Sequence, residues 1–260
     1  MACLQRNGPL HEQATAAIGT KSPPRETAEL RKELDRFLKQ PLGNFVAAPP
    51  QTRAGKSISV GAVKWGVYAF FDYDDEPIYV GQTRESLGSR IGRHLTNQRT
   101  DAVAMAVLDP FEVKTVTVWP LPDYQSAKGS DAAVALEHLN RLERTVFVKL
   151  IEQSRFKKIL NEKDPPAATA CDLPQAVSGS IVSENVRLDR EHPDVRIARR
   201  AQTIARLAQV IAGRNVQGGL RRALATQAQR LAFLAEERFQ ATGGQASVET
   251  EAGDEDDANA

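Results

Sequence analysis

Cysteine is nearly missing from this chain: Cys3 and Cys171 are its only two. They stand too far apart to suggest a disulfide framework, and no Cys/His spacing of a zinc site accompanies them. Long apolar runs are missing too. None approaches the ~18 residues of a membrane-spanning helix, and the N-terminus lacks the positive-then-apolar pattern of a secretory leader. A cytoplasmic protein of a bacterial or phage-infected cell is expected, with no membrane partner. Net charge is close to absent as well, at +1, but this hides a segregation. Residues 193–240 are crowded with arginine, whereas the last dozen residues hold Glu249, Glu251, Asp254, Glu255, Asp256 and Asp257. The remaining composition, 41% hydrophobic and 26% charged, is ordinary for a globular chain.

Punctuation by proline and glycine divides the chain. Residues 1–25, polar and ending near Pro23-Pro24, read as a flexible arm. Residues 26–60 hold a helix and a linker. Leu30, Leu34, Phe37 and Leu38 form an apolar stripe that packs on the body of the protein or on a partner, and Pro41 stops the helix. Ile58-Ser59-Val60 has the composition of a short extra strand. Residues 61–164 form the main α+β unit, 165–192 a linker or small irregular subdomain, 193–240 a helical hairpin, and 241–260 a disordered acidic tail.

Residues 66–94 carry the main unit's plan. Val67, Tyr68, Phe70 and Phe71 are strand-type residues. Tyr73-Asp74-Asp75-Glu76-Pro77 is a polar break with turn chemistry, and Ile78-Tyr79-Val80 resumes the strand until Gly81. A hairpin follows, with its two tyrosines on neighbouring strands. A helix is expected from about Ser86 to Asn97, burying Leu87, Ile91 and Leu95. Arg90 and His94, four apart, share a face, and Arg84 and Arg93 add positive charge. Residues 111–119 read as a third strand.

A long helix over 131–153 contains an anomaly. Its apolar stripe is Leu136, Leu139, Val146 and Leu150, and Glu143 falls within it. A carboxylate facing a core is costly unless paired or coordinated to a metal; the alternative is a rim position where it reaches water. Arg155, Lys157 and Lys158 follow as a basic patch.

In the terminal hairpin, Ile197, Ala201, Ile204, Ala208 and Ile211 form one stripe. Leu220, Leu224, Ala228, Leu231 and Leu234 form the other. The arginines around them, Arg199, Arg200, Arg221 and Arg222 among others, have three readings: contact with a DNA backbone, docking of an acidic partner or the chain's own tail, including self-association, or a solvated face.

Gly66-Val67-Tyr68, ten residues, Tyr79-Val80-Gly81, then Arg90, His94, Glu143 and Asn161 resembles the GIY-YIG nuclease superfamily, over roughly residues 64–162. The resemblance implies a small three-stranded antiparallel sheet flanked by helices, here with an N-terminal helix and a C-terminal basic hairpin added. It implies a metal-dependent endonuclease cutting DNA, in restriction, phage defence, mobile-element or repair biology. The alternative is a non-catalytic nucleic-acid-binding or assembly subunit that keeps the fold. By resemblance Tyr68 contacts the attacking water, Tyr79 lines the pocket or acts as base, and His94 hydrogen-bonds the water or the tyrosine. Arg90 stabilises the pentavalent phosphate, Glu143 binds one Mg²⁺ or Mn²⁺, and Asn161 braces the site. Arg84, Arg93, Lys157 and Lys158 would add DNA contacts. Gln82 stands where many members carry lysine, and no proline precedes Asn161.

Overall fold

A computed structural model describes residues 25–96, 107–213 and 218–243. Residues 1–24 and 244–260, which hold nearly all of the expected arm and acidic tail, lie outside the described residues. Helix α1 spans Arg25–Leu38, β1 Gly66–Phe71, β2 Pro77–Thr83, α2 Leu87–Leu95, β3 Thr115–Pro120 and α3 Ser130–Gln153. Then come β4 Val177–Ser180, α4 Glu184–Glu191, α5 Pro193–Gly213 and α6 Gly218–Ala241.

The sheet has four antiparallel strands in the order β2-β1-β3-β4, not the three expected. The fourth comes from the 165–192 stretch, which also contributes α4. Locally β4 has little strand character, since Val-Ser-Gly-Ser offers a single buried apolar residue. Its pairing comes from outside: β3 supplies the ladder, and Thr117 Oγ1 meets Ser178 Oγ at 2.8 Å. Gly179 lies under the Phe37 ring of α1, where a β-carbon would sit 2.2 Å from a ring atom. The third strand starts later than expected because Asp109 caps a 3₁₀ turn at Pro110–Glu112. Residues 58–60 form no named strand; Ser59 makes an isolated bridge with Pro41, and Val60 opens a 3₁₀ turn.

Each sheet face has its own core. Tyr68, Phe70, Val116 and Val118 pack with α1, α2 and the C-terminal helices. Val67, Ala69, Val80 and Trp119 pack with α3, through Ala135, Leu139, Leu142, Val146, Phe147 and Leu150. Helix α2 starts where Ser86 accepts a hydrogen bond from the Ser89 N–H. Asn161, from the segment after α3, runs along the outer edge of β2: its amide donates to Val80 O at 2.8 Å and accepts from Val80 N at 3.0 Å. An edge strand is thereby partly covered.

The C-terminal helices bury a different face from the one the apolar stripes suggest. In α5 the buried residues are Arg196, Arg200, Thr203, Leu207 and Ile211. In α6 they are Leu220, Ala223, Thr226, Gln227, Arg230 and Leu234. Of the two expected stripes only Ile211, Leu220 and Leu234 are fully buried. The reason is counter-charge. The β1–β2 turn, a polar break in sequence, holds Asp72 at 1% exposure. Asp72 Oδ1 accepts from the Asp74 and Glu76 N–H groups and shapes the turn; Oδ2 accepts from Arg200 at 2.9 Å and from Arg230. Arg200 Nε donates to Glu112 at 2.9 Å, and Arg196 pairs with both oxygens of Asp74. An arginine face turns inward because the sheet presents acids to it.

Candidate active site

The site forms where β2, the edge strand, meets α2 and α3. In the β1–β2 register Tyr68 lies opposite Gly81, so the Tyr68 ring crosses directly over the glycine. A β-carbon at Gly81 would lie 2.6 Å from Tyr68 Oη and 2.9 Å from the Tyr79 ring. Read in sequence as the end of a strand, Gly81 is instead an interior strand residue that makes room for two phenols. Their ring centroids are 6.2 Å apart. His94 stands edge-on to both, 4.5 Å from Tyr79 and 6.2 Å from Tyr68.

One turn of α2 brings Arg90 and His94 to the same hydroxyl. Arg90 Nε lies 3.3 Å from Tyr68 Oη, and His94 Nδ1 lies 3.4 Å from it. Arginine can only donate, so the phenol oxygen accepts from Arg90; when His94 Nδ1 is the unprotonated nitrogen, the phenol proton can be directed at it. Burial pushes the Tyr68 and Tyr79 phenols above the ordinary tyrosine value, and the nearby Arg90 opposes this.

Glu143 on α3 is half-buried and close enough for its charge to act on both phenols. Burial pushes its carboxyl up to about 7, against a hydrogen bond from Gln82 and the attraction of Arg90. Tyr68, Tyr79, Arg90, His94 and Glu143 therefore come together. Asn161 is buried behind β2 and fixes Val80, the residue after Tyr79. Beside Arg90 an open cleft of about 580 Å³ is lined by Trp65, Gln82, Thr83, Arg84, Glu85 and Ala132.

The residues expected to touch DNA divide. Arg84 is exposed at the cleft. Arg93, on the next turn, pairs with both oxygens of Glu85. Lys157 and Lys158 are exposed, with Lys157 Nζ donating to Glu152 O. Arg221 is exposed on α6. Arg200 is 3% exposed and bound to Asp72 and Glu112, so it cannot meet a phosphate. Arg199 lies by Asp109 and the Phe111 ring, and Arg222 pairs with Asp164 at 2.8 Å. Two site residues escaped sequence reasoning. Gln82 registered only as a departure from the lysine pattern. Asn140, whose Oδ1 accepts from Gln82 Nε2 at 3.0 Å, lies three before Glu143 on the same helix face, and that spacing was the available signal.

Residues 64–128 match the family model of the GIY-YIG catalytic domain. This segment is a GIY-YIG domain. The match includes Tyr68, Tyr79, Arg90 and His94 and stops before Glu143 and Asn161, which the fold brings beside the phenols and against Val80 respectively. A GIY-YIG domain is a nuclease-type catalytic domain, and a nucleic acid is its class of substrate. No curated protein and no solved structure matches the chain. Among the described residues no helix is long and apolar enough to cross a membrane.

Among those residues no group of three or more His, Cys, Asp or Glu side chains could hold a metal ion. A lone carboxylate still fits Mg²⁺, which binds through one or two carboxylates and keeps several waters. Glu143 has the matching condition: burial opposes its charge, and the neighbours answer only part of that cost.

Proposed function

We propose that the chain is an endonuclease that hydrolyses DNA phosphodiester bonds with one Mg²⁺ or Mn²⁺ held by Glu143. The observation that carries this reading is the shared hydroxyl: Tyr68 Oη accepts from Arg90 and faces His94 Nδ1, with Glu143 alongside.

Both phenols are harder to ionise than a free tyrosine, so a standing phenolate is too scarce here to serve as the base. A relay avoids it. As a water gives its proton to Tyr68 Oη, the phenol proton passes to His94 Nδ1, and the imidazole becomes imidazolium. The hydroxide so formed attacks phosphorus in line with the leaving oxygen. Arg90 is held by Nε, which leaves its other N–H groups for the phosphate oxygens, where negative charge grows in the transition state. A hydrated divalent ion would add positive charge at the phosphate and leaving oxygen. Asn161 keeps β2, and with it Tyr79, in register. The open cleft by Arg84 is the approach for the strand. Restriction, phage defence, mobile-element transfer and repair all employ such cutting.

Plasmid cleavage with Mg²⁺ or Mn²⁺ tests the reading. Arg90→Ala is expected to lower the rate by about 10²–10³-fold, the usual loss for a donor to a developing oxyanion, and Glu143→Ala to abolish cutting. No metal-dependent cleavage of double-stranded, single-stranded or branched DNA would remove DNA hydrolysis from consideration.

A further inference from the structure

Helix α6 lies against the segment that follows α3, and that segment borders the site. At the segment's start, Arg155 pairs with Glu237 at 3.6 Å and sits over the Phe233 ring, which meets Phe156 edge-on at 5.7 Å. At its far end Gly219 comes so close that a β-carbon there would be 1.9 Å from the Glu162 carbonyl oxygen. Arg222, three residues on, shares that face of α6. Its Nη2 donates to Asn161 O at 3.3 Å and to Glu162 O at 3.4 Å, and pairs with Asp164 at 2.8 Å.

The other side of the same segment is bound to β2. The Leu160 N–H donates to Ile78 O at 2.8 Å, and the Asn161 side chain both donates to and accepts from Val80. Tyr79 lies between those two residues of β2. Glu162 is near enough for its charge to act on the Tyr79 phenol. Residues 160–161 belong to no named strand, so their hold on β2 depends on what packs behind them.

We infer that Arg222 is a positioning residue of the nuclease site: from α6 it presses the Asn161–Asp164 backbone towards β2, and through Asn161 and Val80 it keeps Tyr79 beside Tyr68 and His94. The C-terminal hairpin is then part of the site's frame, although it lies outside the matched residues 64–128. The effect on cutting rests on the nuclease reading above; the hold on β2 does not. The Arg222 side chain is 42% exposed, so the competing role is contact with a phosphate, and the two roles move different measurements.

Amide hydrogen exchange by NMR and DNA cleavage, both on the full chain, provide the test. Arg222→Ala is expected to speed exchange of the Val80 N–H about tenfold, the scale of one lost hydrogen bond, and clearly more than that of the β3 amides. The single-turnover cleavage rate at saturating protein is expected to fall about tenfold, short of the ~10²-fold of a 1 Å displacement. The DNA dissociation constant and its salt slope should stay as they were. Arg222→Lys keeps a donor and a positive charge and is expected to recover part of both losses. Arg238→Ala breaks the pair with Asp194 at the opposite end of α6 and is expected to leave both measurements unaltered. Unchanged Val80 exchange in Arg222→Ala overturns the inference, whatever the chain cuts. Exchange raised equally in β3 also overturns it, since that is loss of stability alone. A salt slope reduced by about one, with the saturated cleavage rate kept, overturns it in favour of a phosphate contact. A chain that cuts no nucleic acid while Val80 exchange responds overturns the nuclease reading and leaves the Arg222 hold on β2 standing.

Discussion

No β-carbon fits between the two phenols. A methyl at Gly81 would lie 2.6 Å from Tyr68 Oη, and the rings would have to part. Gly81→Ala is therefore expected to fold and to cut DNA roughly 10²-fold more slowly, the cost of displacing a reacting group by about 1 Å; single-turnover cleavage beside a thermal melt checks both halves. Glu143 carries the opposite kind of tension. Its carboxyl is pushed up to about 7 by burial, so without metal the folded state keeps a proton that the unfolded chain has lost. Stability then falls as pH rises from the ordinary carboxyl range through about 7, and the whole deficit is present above it. In chelator at pH 8, Glu143→Gln is expected to stabilise the protein by roughly 2 kcal/mol, allowing for the water that reaches the group. At pH 4 the two should melt alike, and a melting series across pH decides the matter.

Among the elements, the β1–β2 turn has the widest reach. Asp72 binds two buried arginines from α5 and α6, and Glu76 accepts from Ser154 and the Arg155 N–H at the end of α3. The residues that space the two tyrosine motifs also tie down three helices. Asp72→Asn leaves Arg200 and Arg230 with too little counter-charge in the interior, and breaking buried pairs in this way costs about 3–5 kcal/mol. Urea unfolding is expected to show that loss. Nuclease activity measured well below the new midpoint should change far less, since Asp72 has no contact with the phenols or with Glu143 among its hydrogen bonds.

For the molecule as a whole, the arginine count overstates the surface open to DNA. Arg196, Arg200 and Arg230 are 2–3% exposed and serve as internal cations. Arg84 at the cleft, Lys157, Lys158 and Arg221 remain exposed. Affinity for DNA should therefore depend on salt through a small set of contacts. Arg84→Ala is expected to reduce the slope of log affinity against log salt by about one, the share of a single phosphate contact. Arg200→Ala should leave that slope alone and lower the melting temperature. Binding isotherms across a salt series separate the two.

Local pattern was enough for whatever depends on neighbours in the chain. The strand residues around Tyr68 and Tyr79, the α1 stripe, the four-residue step from Arg90 to His94 and the misplaced Glu143 are all written in short-range periodicity. That is why the hairpin, the helices and most of the site were legible. Periodicity does not say what waits on the other side of a helix. The apolar spacing of Ile197, Ala201 and Ile204 is as regular as that of Arg196, Arg200 and Thr203, and only Asp72 and Glu112, far away in sequence, turn the second set inward. The same holds for β4, a strand made by its partner, and for Gly81 and Gln82, whose meaning depends on side chains delivered by other elements. Chain-local chemistry determined the parts of the candidate site. Counter-charge and close approach, which exist only once distant segments meet, decided how the parts are held.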